Sequence, residues 1–238
     1  MKNVTSNILH HRSARIAGFM FLFILTTILL NSFVFSKLIV TENALATADT
    51  ILTNTWLFRL GIINELILSV CAILLALALY ITLKQVNRHL ALLALYLKLV
   101  EGILSAVIAL LNFIGLQVLL GKDQITTISE QSRALVGLFL NMHDTLYAIP
   151  MVFLGLNLVL FSYLFLKSRY VPKSLAVFGM VSYALVLGFA LVSILFPKLS
   201  ALALTVPSIL FELIIGVWLL TKGIKEPDII SEANQTKH

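Results

Sequence analysis

Ten polar side chains stand inside or at the edges of long apolar stretches of this 238-residue chain: Arg59, Asn64, Glu65, Lys98, Glu101, Asn112, His143, Asp144, Asn157 and Glu212. Ionisable groups surrounded by hydrocarbon are costly, so they turn into a bundle interior and by default mark sites that handle ions or protons. Glu65, His143 and Asp144 supply two carboxylates and an imidazole, which serve as acid, base or cation ligand. Arg59, Asn64 and Asn112 fall near them. Lys98 and Glu101 are spaced i, i+3 and share one helix face, where their pairing removes much of the charge cost. Glu212 has no basic residue on its own segment before Lys222. It must reach Lys98 across the bundle, stay protonated or face water. As a lone mid-span carboxylate it is a candidate proton carrier.

Other chemistries fare worse. Catalytic zinc needs three protein ligands and an open position for water, and a single membrane-embedded histidine strains that assignment. Cys71 is the one cysteine, which excludes an intrachain disulfide and a cysteine-based zinc site. There is no nucleotide loop, no serine nucleophile elbow and no facing pair of haem-ligating histidines. No cofactor and no metal is expected. A purely structural reading stays open beside the functional one: Arg59 pairs with Glu65 or Asp144, and His143 hydrogen-bonds between helices, as ordinary helix-to-helix glue.

The elements that position these residues follow from composition. The chain is 60% hydrophobic and 12% charged, with a mean hydropathy of +1.02, where a soluble domain carries about 45–50% and roughly 25%. Polar surface is too scarce to cover a water-soluble particle, which excludes a soluble enzyme, a disordered chain and a nucleic-acid module. Charge-free runs of 21, 18, 20, 22 and 24 residues follow Arg15, Glu65, Glu101, Asp144 and Lys173. About 20 apolar residues of helix cross the hydrocarbon of a bilayer. The expected fold is therefore an all-α polytopic membrane bundle of six transmembrane helices near 14–36, 56–84, 89–121, 135–167, 174–197 and 199–222. A segment 1–13 precedes the 14–223 domain, and a polar tail 224–238 follows it.

Orientation is read from the loops. Eleven Lys and Arg lie at the N-terminus, in the turns near 84–88 and 167–173 and in the tail, against five on the opposite side. The positive-inside rule then puts both termini in the cytoplasm. The basic excess is a topology signal, and no nucleic-acid partner is implied. The first apolar stretch, at 21 residues, exceeds the 7–15 usual in a signal peptide, so it is expected to stay as a span. The sequons at Asn3 and Asn234 fall on cytoplasmic ends and read as chance matches.

Three finer expectations follow. Ala44, Leu45, Ala48, Ile51 and Leu52 recur at helical spacing, predicting a short surface helix that leads into Trp56 and caps the bundle. Pro150 and Pro207 deprive the carbonyls of Leu146 and Ala203 of a donor and are expected to bend their spans. Helix direction sorts the polar residues into an outer layer of Arg59, Asn64, Glu65, Asn112, His143 and Asp144, and a deeper one of Lys98, Glu101, Asn157 and Glu212. No internal repeat is visible, so an inverted-repeat transporter gains no support.

Taken together the segments resemble a bacterial membrane-protein family catalogued as domain of unknown function 4386, from about Ser13 to Gly223. The resemblance rests on Ala14-Arg15-Ile16-Ala17-Gly18, Trp56-Leu57-Phe58-Arg59-Leu60-Gly61, Leu83-Lys84-Gln85-Val86-Asn87, Lys98-Leu99-Val100-Glu101, Leu138 to His143, and Gly155-Leu156-Asn157. That family usually has Arg in place of Lys98 and often His in place of Asn157, and the second departure further weakens a metal-ligand reading. The resemblance implies a bacterial plasma (inner) membrane and six or seven spans, and brings no activity with it.

The function expected is a small transporter, carrier or ion- or proton-linked binding protein, with Glu65, Glu101, His143 and Glu212 as working groups. Its partners are the lipid bilayer and a small ion, proton or lipid-like ligand. Two rivals stay open. One is an intramembrane enzyme acting on a lipid or isoprenoid, with His143 and Glu65 as acid/base pair; the other is a structural or assembly partner.

Overall fold

Hydrocarbon offers no water to unpaired backbone groups, so a chain of this composition must satisfy its N–H and C=O groups within helices. The computed structural model describes residues 2–40, 43–121, 130–141, 143–196 and 202–224, and the side chains of 10–40, 43–121, 134–138, 140, 145–196 and 203–224. Those residues are almost wholly helical, and no strand occurs among them. In chain order they form α1 (Lys2–Leu38), α2 (Ala44–Thr53), α3 (Thr55–Leu83), α4 (Arg88–Leu119), α5 (Glu130–Asn141), α6 (His143–Leu146), α7 (Ala148–Ser168) and α8 (Lys173–Leu195). A 3-10 turn, Leu202–Thr205, then leads into α9 (Val206–Thr221). Six of these segments are long and apolar enough to cross a bilayer: His10–Leu38, α3, α4, α7, α8 and Ala203–Thr221. The protein is a multi-pass membrane protein.

The six spans close a ring in chain order. α1 packs on α3, α3 on α4, α4 on α7, α7 on α8, α8 on α9, and α9 returns to α1. Two apolar clusters fill it. The larger holds Phe21, Leu75, Leu79, Phe161, Leu164, Ile215 and Leu219, and reaches the end where the basic turns lie. The smaller holds Phe35, Leu38, Ile51, Phe58, Leu116 and Leu140 at the opposite end. Outward faces carry exposed Leu66, Val70, Leu74 and Leu77 on α3 and Ile103, Val107 and Leu110 on α4. These are the surfaces that meet acyl chains.

Local chemistry sets the element ends. Asn43 caps α2 by accepting the N–H of Ala46 at 2.9 Å, and Asn87 caps α4 by accepting that of Leu90 at 3.1 Å. Such caps satisfy donors that a helix start leaves unpaired. The short helix expected over 44–52 is present as α2, which packs against α5.

Two expectations are corrected. The fourth span, expected as one helix over 135–167, is interrupted: α6 ends at Leu146 and α7 starts at Ala148, so the crossing element is α7. Pro150 is the cause, because its ring excludes the Leu146 carbonyl and it has no N–H to offer it. Pro150 and Pro207 both lie in first turns, where the missing donor costs least. Residues 2–13, expected as a separate segment, belong to the same helix as the first span, since no Pro or Gly interrupts them. The Pro197–Lys198 corner, the connection over 122–129 and tail residues 225–238 lie outside the described residues.

Candidate functional site

α4 supplies the axis of the polar core. Its buried stripe runs through Lys98, Glu101, Gly102, Ser105, Ala109 and Asn112 at helical spacing, facing the ring interior. Lys98 Nζ donates to Glu101 Oε1 at 2.8 Å, with the two side chains only 5% and 11% exposed. This is the i, i+3 pair the spacing called for. The other carboxylate oxygen, Oε2, accepts from Asn157 Nδ2 of α7 at 2.9 Å. The same Nδ2 donates to the Phe153 carbonyl at 2.6 Å, and Asn157 Oδ1 is left buried without a donor.

Across the ring, Tyr183 of α8 donates its hydroxyl to Glu212 Oε1 of α9 at 2.7 Å. The deeper residues therefore form two hydrogen-bonded groups: the first joins Lys98, Glu101 and Asn157 on α4 and α7, and the second is the Tyr183–Glu212 pair of α8 and α9. Gly179 sets its geometry: a Cβ there would lie 2.5 Å from Phe211 Cε2 and 2.7 Å from Ser162 Oγ. Its absence lets α8 approach the Phe211 ring, against whose face or edge Tyr183 stands at 87° and 5.7 Å between centroids.

Glu212 thus solves its burial in a way the sequence did not suggest. Lys98 is taken by Glu101, and a tyrosine from the neighbouring span supplies the hydrogen bond. Tyr183 itself escaped sequence reasoning, although a signal existed. Tyrosine in membrane proteins favours the interfaces, whereas Tyr183 lies ten residues past Lys173, about 15 Å into the span. A tyrosine at that depth needs a partner for its hydroxyl.

The outer layer is built on Glu65 of α3, which is fully buried. Asn112 Nδ2 of α4 donates to its Oε2 at 3.0 Å, and the Tyr147 hydroxyl donates to Oε1 at 3.3 Å. Tyr147 occupies the break before α7 that Pro150 imposes, so one proline explains both the interruption and the position of this donor. Asn64 turns instead to α1, donating to the Thr27 carbonyl at 2.9 Å and to Asn31 Oδ1 at 3.3 Å. Arg59 is half-buried, and its Nε is buried with no hydrogen-bond partner. The side chains of His143 and Asp144 lie outside the described residues, and with them the expected Arg59–Asp144 pair and the His143–Glu65 acid/base pair.

The structure therefore gathers Lys98, Glu101 and Asn157 into one group and Glu65 with Asn112 into a second, while Glu212 pairs with Tyr183. Asn64 belongs to a separate α1–α3 contact. Glu101 and Asn112 are eleven residues apart on α4, which separates the two groups by about 16 Å. Among the described residues no three His, Cys, Asp or Glu side chains converge as metal ligands would. No curated protein and no solved structure matches the chain. A family model does match, over residues 16–223, and its description is domain of unknown function (DUF4386). From the first apolar span to the end of the last, the chain belongs to that family of multi-pass membrane proteins.

Proposed function

We propose that the protein is a proton-linked carrier of the bacterial plasma membrane, both termini cytoplasmic, in which Glu101 and Glu212 share an exchangeable proton beside Lys98. One observation carries this reading: the spans bury the carboxylates Glu101 and Glu212 together with one ammonium group, Lys98, which lies 2.8 Å from Glu101. With all three ionised the cluster holds one negative charge in excess. Uncompensated charge inside a bundle costs several kcal/mol even after relaxation, at about that order for each ion. One proton removes the excess, and Lys98 keeps the remaining carboxylate ionised. Tyr183 fits both states, since its hydroxyl donates to an ionised Glu212 and its oxygen accepts from a protonated one. The undonated Oδ1 of Asn157 offers an acceptor for water or a substrate N–H or O–H at the same place.

The test is proton movement by the purified protein in phospholipid vesicles enclosing a pH-sensitive dye, driven by a potassium diffusion potential. Wild-type vesicles are expected to take up protons faster than protein-free ones, and Glu212→Gln is expected to remove the difference. Equal rates with and without wild-type protein would overturn the reading.

A smaller effect is expected of Tyr183→Phe. It deletes one interhelical hydrogen bond and keeps the ring, so stability should fall by about 0.6–1.7 kcal/mol, the range measured for such bonds in membrane bundles. Unfolding in mixed detergent micelles measures it. A loss well above that range would mean that the Glu212 carboxylate left without its donor, and not the lost bond alone, sets the cost.

A further inference from the structure

We propose that the outward face of α9 holds an anionic phospholipid at the basic end of the bundle, with its phosphate on Lys222. The site is separate from the buried carboxylates, and it does not depend on the proton-linked reading. Leu213, Ile214, Val217, Trp218, Thr221 and Lys222 line a groove of about 420 Å³, within the roughly 300–1,000 Å³ of small-molecule sites. The order of these residues along the helix is that of an amphiphile. Thr221 and Lys222 are exposed at the end of α9. Trp218 lies one turn deeper, and tryptophan favours the headgroup level of a bilayer. Exposed Val217, Ile214 and Leu213 follow. From Lys222 to Leu213 is nine residues, about 13 Å of helix. One leaflet of a 30 Å hydrocarbon core measures about 15 Å. A headgroup on Lys222 therefore lays one acyl chain along the aliphatic part of the groove.

Charge decides which phospholipid fits. Lys222 has no ion-pair partner among the described residues. The acidic side chains among those residues are Asp49, Glu65, Glu101 and Glu212, and none stands at this end. Glu212, ten residues back on the same helix, is buried and bonded to Tyr183. An ammonium group left unpaired at headgroup depth attracts anionic lipid. A zwitterionic headgroup brings its own cation and gains less. The Thr221 hydroxyl donates to the Val217 carbonyl at 2.7 Å, which leaves its oxygen as an acceptor for a headgroup hydroxyl. Trp218 packs inward on the larger apolar cluster, and its indole N–H is buried without an acceptor in the protein. A small turn of the ring toward the groove brings that donor to a lipid ester oxygen.

Trp56 and Trp218 are the two tryptophans. Trp56 is exposed at the start of α3, away from the groove, so Trp56→Phe leaves Trp218 as the sole reporter. This variant is placed in phosphatidylcholine bilayers in which part of the lipid is brominated phosphatidylglycerol or brominated phosphatidylcholine. At equal mole fraction the phosphatidylglycerol is expected to quench Trp218 as if bound about fivefold more tightly, the ratio one lysine supplies at an anionic surface. Adding Lys222→Gln is expected to bring the two lipids level. Adding Arg88→Gln, an exposed basic residue at the same end but on α4, is expected to leave the preference intact. Equal quenching by both lipids in Trp56→Phe would overturn the site, with Lys222 answered by Glu226 and Asp228 of the tail. A preference lowered as much by Arg88→Gln as by Lys222→Gln would overturn it in favour of diffuse attraction by the whole basic end. Quenching by neither lipid would also overturn it, since protein, such as a second copy of the chain, would then cover the groove.

Discussion

Lys98→Met is expected to lower stability by about 3–5 kcal/mol, the cost of leaving a buried charge without its partner. The ammonium group sits 2.8 Å from Glu101 Oε1, and both side chains are shielded by the bundle. Removing it leaves Glu101 with the Asn157 amide as its hydrogen-bonding side chain. The damage is expected to come from the orphaned carboxylate and not from lost packing, and a double mutant separates the two. Lys98→Met with Glu101→Met removes both charges, and should recover most of the stability, since apolar replacement of a whole buried pair is often neutral or better. Unfolding of the purified variants in mixed micelles is the measurement. A double mutant as unstable as Lys98→Met would show that the pair contributes through packing.

The second large effect is expected at Gly18, where α1 closes the ring against α9. A Cβ on Gly18 would lie 2.5 Å from Leu220 N and 2.8 Å from the Gly216 carbonyl oxygen. Both obstacles are backbone, so no side-chain rotation relieves the contact. Gly18→Ala must push the two helices apart, and overpacking of this kind costs about 1–3 kcal/mol. Gly216→Ala is expected to cost less, because a Cβ there first meets the Leu22 side chain, at 2.8 Å from its Cδ2, which can turn aside. Thermal unfolding in one detergent at one pH would rank the two. The reverse order would place the tight contact of the α1–α9 crossing at Leu22.

The two substitutions probe different layers of legibility. Lys98–Glu101 was readable because both residues are on one helix, where i, i+3 spacing dictates adjacency whatever the fold. The Gly18 contact was not, since small residues mark where a helix can be approached without naming what approaches. The same limit hid the partners of the carboxylates. Glu65 meets Asn112 and Tyr147, Glu101 meets Asn157, and Glu212 meets Tyr183, each from another span. Pro150 was visible as a lost donor, but sequence alone could not distinguish a bend from a break. The break became visible only in the fold, where Tyr147 fills it and reaches Glu65.

The sequence by itself determined that the chain crosses a membrane and how many times. It did so because lipid rejects charge and unpaired backbone along the membrane normal, which writes spans as charge-free runs. Lateral arrangement carries no such signature. Lipid tails are as apolar as leucine, so hydropathy does not say which helix faces which, and close packing and interhelical hydrogen bonds decide it. Only the tertiary structure, by closing the spans into a ring, brought Glu212 to Tyr183 and Glu101 to Asn157.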